Sequence, residues 1–97
     1  MAIASNRSNA GTSVTYTGTA GSTPKMNASP SVLVWTTTDA YVVVGDGLTA
    51  VVTDTPIPAY TPMIFDVPVG DGSGFRVSAI QVSAGGTVYA KPVKTVP

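Results

Sequence analysis

Nowhere in this chain do apolar residues recur at i, i+3, i+4 and i+7 between caps, and that absence constrains the fold more than any other feature. Glutamate does not occur. From Val32 onward, short runs of β-branched and aromatic residues are cut by Gly, Pro and Asp. Such runs suit a pleated, half-buried surface and predict strands over residues 32–37, 40–44, 48–53, 63–67, 75–82 and 87–91. The alternation Ser13-Val14-Thr15-Tyr16-Thr17 adds a further candidate at 13–17. The expected fold class is all-β: a small antiparallel β-sandwich or jelly-roll-like barrel of six to seven strands with a flexible N-terminal arm. Residues 1–31, dominated by Ser, Thr, Asn, Gly and Ala, form that arm, because they carry too little apolar surface to offset their ordering entropy; residues 32–97 form the sandwich domain.

Turn chemistry proposes the connections. Gly45-Asp46-Gly47 supplies positive-φ positions and predicts a hairpin between 40–44 and 48–53. Ser83-Ala84-Gly85-Gly86 predicts a second, pairing 75–82 with 87–91. Between them, residues 54–62 hold three prolines that cannot donate ladder hydrogen bonds, so this segment is read as a loop crossing between sheets. Trp35, within Val32-Leu33-Val34-Trp35, is expected in the core, whereas Tyr60 in the proline-rich loop is expected to be exposed. The residues assigned to partner contact are Tyr16, Ile57 and Tyr60.

Composition narrows the function. With 97 residues the chain builds one core, so association is an attractive route to stability. Five basic and five acidic residues give zero net charge, and the basic ones are scattered apart from Lys91 and Lys94, which argues against nucleic acid as a partner. The longest apolar stretch, Tyr41-Val42-Val43-Val44, is too short for a membrane-spanning helix, and no membrane partner is expected. His, Cys and Glu are all missing, which removes the usual bases, nucleophile pairs and metal ligands. Asp54-Thr55-Pro56 has proline where an aspartic-protease loop needs glycine, and Asp71-Gly72-Ser73-Gly74 lacks the Glu that closes an EF-hand loop. The expectation is therefore no enzyme, no cofactor and no metal.

The segment Phe75-Arg76-Val77-Ser78-Ala79-Ile80-Gln81-Val82-Ser83-Ala84-Gly85-Gly86-Thr87-Val88-Tyr89-Ala90-Lys91-Pro92 resembles the closing hairpin of small β-sandwich virion proteins of tailed bacteriophages, and Phe65-Asp66-Val67-Pro68-Val69-Gly70 resembles its lead-in. This resemblance covers about the last third of the chain. It implies a non-catalytic head decoration (cement) protein in the virion, assembled in the host cytoplasm, whose partners are the major capsid protein or other virion proteins. A homo-oligomer such as a trimer would suit that role. Alternatives are a head–tail connector or tail component, or a carbohydrate-binding or adhesin module that stacks sugar on Trp35, Tyr41 or Tyr60.

Overall fold

The computed structural model describes residues 2–3, 11–26, 30–67, 74–93 and 95–96. Among them there is no helix. The strands are β1 (Ala2–Ile3), β2 (Thr12–Tyr16), β3 (Gly21–Ser22), β4 (Ser31–Thr36), β5 (Ala40–Val44), β6 (Thr55–Ile57), β7 (Met63–Asp66), β8 (Val77–Gln81), β9 (Gly86–Val93) and β10 (Thr95–Val96). Two antiparallel sheets of four strands run β2-β9-β4-β7 and β3-β8-β5-β6, and β1 pairs separately with β10.

Alternation along each strand produces one shared core. In the first sheet Tyr16, Val32, Val34, Val88 and Ala90 point inward; in the second Ala40, Val42, Val44, Val77 and Ala79 meet them, with Phe75 and Ile57 filling the ends. These side chains form a single cluster, as in a sandwich. Each fully buried Val or Phe contributes about 1.5–3 kcal/mol relative to exposure.

The path between the sheets differs from the hairpins that the turn residues suggest. Only the β5–β6 link stays within one sheet. Strands β8 and β9, expected to pair, lie in different sheets, and residues 82–85 carry the chain across. The Gly45-Asp46-Gly47 turn does not return into a strand at 48–53 either; that segment is a loop, and β5 pairs instead with β6 and β8. Glycines permit reversal, but the partner is chosen by which face must be buried, and exposed Val51 and Val52 have no core to fill there. Strand β6 is the converse case. It runs through Pro56, opposite Tyr41, and survives because it is an edge strand where the missing N–H faces away from the ladder. Residues 58–62 then make the crossing, a shorter one than the loop over 54–62 that the prolines suggest.

The N-terminal segment also lies differently from an appended arm over its described part, residues 11–26. Strand β2 pairs with β9 from Thr12↔Ala90 to Tyr16↔Gly86, and β3 pairs with β8. Tyr16, Thr23 and Met26 are buried. Few apolar residues suffice here because the backbone ladders and one tyrosine do the anchoring.

That anchor is a corner. The Tyr16 hydroxyl donates to the Thr38 carbonyl at 3.0 Å and lies 2.8 Å from Thr38 Oγ1. Thr38 Oγ1 donates to the Ala84 carbonyl at 2.9 Å, and the Thr87 amide donates to Thr37 Oγ1 at 2.9 Å. The Tyr60 amide donates to the Thr36 carbonyl at 2.7 Å, and the Ala59 amide to Asp39 Oδ1 at 2.9 Å. Residues 36–39 thereby tie together the end of β2 and the crossings at 58–62 and 82–85. Space is tight: a Cβ on Gly86 would sit 2.6 Å from both Thr37 Oγ1 and Thr38 Oγ1.

Two substitutions here should act in opposite directions. Tyr16→Phe strips the hydroxyl from the corner and should cost about 1–3 kcal/mol, lowering Tm by several degrees in thermal unfolding. Thr36, wholly buried, has an Oγ1 with no hydrogen-bond partner. Thr36→Val removes that orphan at constant shape and should raise stability by about 1 kcal/mol in a denaturant titration.

Candidate functional site

The outward face of the β2-β9-β4-β7 sheet is built by the same alternation that fills the core. With Val32, Val34 and Thr36 inward, β4 must present Leu33 and Trp35 outward; β9 likewise presents Tyr89 and Lys91. Antiparallel register sets Trp35 opposite Tyr89, and Leu33 between Lys91 and Ile64. Trp35 and Tyr89 stack with ring centroids 4.3 Å apart and planes 15° from parallel. Tyr60 extends the row on the other side of Trp35, at 6.0 Å and 32°. Exposed faces of antiparallel sheets are normally polar, so this aromatic and aliphatic strip is the feature that calls for a function.

Tyr60 stands out within it. Its backbone is left-handed, with φ of 57°, the only positive φ among described residues other than glycine, and its side chain is 67 % exposed. A bulky residue in that region costs about 1–2 kcal/mol relative to a relaxed backbone. Thr36, Asp39 and the flanking Pro58 and Pro62 hold it there. Beside the row, a shallow cleft of about 340 Å³ is bordered by Leu33, Trp35, Tyr89, Lys91, Gly11 and Ser13. Gly11, lacking a side chain opposite Lys91, leaves the cleft open at the β2 edge.

On the opposite outer face, residues 45–54 fold over the second sheet. Ser78, outward-facing yet buried, accepts from the Ala50 amide at 2.9 Å and donates to the Gly21 carbonyl at 3.1 Å. The Val51 amide donates to Asp54 Oδ2 at 2.8 Å and the Asp54 amide returns to the Val51 carbonyl at 3.0 Å, closing a tight turn. Leu48, Val51 and Val52 project from it, 47, 51 and 62 % exposed. At its start, Asp46 meets Lys25 and Arg76, each at 3.3 Å. The Lys25 hydrogen bond, with Arg76 adding to it, holds the Asp46 carboxyl below its ordinary value.

Of the three residues assigned to partner contact, the structure puts Tyr60 on the surface and buries the other two. Tyr16 is 2 % exposed and spends its hydroxyl on the corner; Ile57 is 1 % exposed, beneath its edge strand. Trp35 moves the other way, from the expected core to the outer face. Tyr89 and Leu33 were not singled out by sequence, although the i, i+2 spacing of Leu33 with Trp35 was a usable signal once Val32 and Val34 were placed inward. Asp54 closes a turn, and among the described residues no group of three or more metal-ligating side chains gathers. Residues 71–73 of the calcium-loop-like segment lie outside the described residues. In comparisons with known proteins, the chain matches no family model, no curated protein and no solved structure.

At position 60 the usual order of residues should invert: Tyr60→Gly should be about 1 kcal/mol more stable than Tyr60→Ala in paired denaturation curves, because only glycine is relaxed at this φ. Asp46 should titrate below the ordinary Asp value of about 3.9 in an NMR pH series. Because its folded pKa is depressed, its stabilising contribution is present above pH ~4 and is lost as pH falls through the folded value. Asp46→Asn should remove that pH dependence.

Proposed function

We propose that this chain is a non-enzymatic structural protein of a tailed-phage virion, of the capsid-decoration type, which attaches to the major capsid protein or a neighbouring virion protein as a homo-oligomer. The observation that carries the attachment role is Tyr60: a large ring held in a left-handed backbone at the rim of an apolar sheet face. Strain of this kind persists where the surrounding structure enforces it and is commonest at binding and switch regions. Tyrosine and tryptophan are also the side chains most often found at the energetic centre of protein interfaces. The virion setting comes from the resemblance of the C-terminal third. In that setting many modest contacts, repeated over a symmetric lattice, add through effective concentration to firm attachment.

A second reading, a carbohydrate-binding module, draws on the row Tyr60, Trp35, Tyr89, which could stack against sugar faces. It ranks lower because aliphatic Leu33 and Ile64 share the outer face with the rings, a mixture suited to a protein surface.

Co-sedimentation with particles of the parent virus tests the leading reading. Wild-type chain should pellet with particles, and Tyr60→Ala, at an interface centre worth about 2 kcal/mol, should weaken binding about 30-fold while keeping its fold. A wild-type chain absent from purified particles and failing to pellet with them would sink the proposal.

A further inference from the structure

Two apolar features lie on opposite outer faces of the molecule. We propose that the chain associates head to tail, the Leu48-Val51-Val52 crest of one copy seating in the Trp35–Tyr89 cleft of the next. The inference rests on the reading of the chain as an assembling module, and not on what larger body it joins.

Three observations select a second copy as the occupant. First, the crest is tied down by its own hydrogen bonds: Ser78 holds Ala50, and the paired bonds between Val51 and Asp54 close the turn. Little conformational freedom is left to lose, so its exposed valines bind without a large ordering cost. Second, the cleft is walled by Leu33, Trp35 and Tyr89 and open at Gly11, so it admits branched aliphatic side chains from the sheet edge. Third, the charges complement. Among the described residues Lys25 and Arg76 are engaged by Asp46, whereas Lys91, at the mouth of the cleft, has no ion-pair partner. Asp54 lies at the foot of the crest and likewise has no cation against it among the described residues. The opposite charges beside crest and cleft are complementary for a contact between copies.

Placement dictates the symmetry. The crest covers the outer face of the β3-β8-β5-β6 sheet, and the cleft lies on the outer face of the other sheet. A contact between two different patches is heterologous, so copies close into a ring or continue as a filament, and a two-fold dimer cannot satisfy both patches by this contact.

The test uses the full chain and three variants that each damage one patch, with folding checked by near-UV circular dichroism. Val52→Asp spoils the crest, and Tyr89→Ala spoils the cleft; Lys91→Glu serves as a second, purely surface change at the cleft. In light scattering, wild type should form a closed oligomer or a longer filament, and each variant alone should be monomeric or at least tenfold weaker in association. An equimolar mixture of Val52→Asp with Tyr89→Ala should give a one-to-one dimer and nothing larger, because just one intact crest and one intact cleft remain. The proposal is overturned if the mixture stays monomeric, if both variants assemble as wild type does, or if monomeric wild type instead binds a saccharide that alters Trp35 fluorescence. A wild-type chain that is monomeric yet pellets with virus particles overturns the copy-to-copy contact and leaves particle attachment standing.

Discussion

The corners of this fold meet around one tyrosine hydroxyl, that of Tyr16. The strands alternate between two sheets, so nearly every connection is a corner that must satisfy backbone groups where no ladder continues. Tyr16 reaches from the end of β2 to Thr38, and Thr37, Thr38 and Asp39 pass the bonding on to the corners at 82–85 and 58–62. Threonine suits this work because one short side chain can accept from an amide and donate to a carbonyl. A chain of this size with a modest core gains from such a network, since each satisfied corner fixes the position of one sheet relative to the other.

The corner also connects core to surface. Its backbone carbonyl at Thr36 and carboxylate at Asp39 hold residues 59 and 60, so the same bonds that join the sheets set Tyr60 in its left-handed conformation beside Trp35. The aromatic face is therefore a by-product of closing the fold at that end. At the other end, Asp46 with Lys25 and Arg76 fixes the start of the 45–54 loop, which carries the second apolar surface. Charge at that end is spent on positioning, in a chain with only 10 % charged residues.

How far these features could be read in advance varies with their physical origin. Strands β4, β5 and β7 are local: β-branched runs bounded by turn residues, and their positions follow from propensity and alternation. Strand β3, two residues long, and β6, which contains Pro56, have no such local signal and exist because a neighbouring ladder offers them partners. The glycine-rich link after β8 is a reversal in either case; whether it returns within one sheet or crosses to the other depends on where Val77 and Val88 find their core. Tyr16 and Tyr60 look alike in sequence, each an isolated tyrosine among small residues. One is buried and the other exposed because of where the corner lies.

By itself, then, the sequence determined that the protein is all-β and that its strands are short, since propensity and alternation act over a few residues; of the proline-rich segment read as a crossing loop, only residues 58–62 cross, while 55–57 form β6. Only the tertiary structure decided strand order, the burial of Tyr16 and Ile57, and the emergence of Trp35, Tyr89 and Leu33 on an outer face. Strand pairing joins residues far apart in the chain, and a residue's face is settled only when its strand's register against those distant partners is fixed.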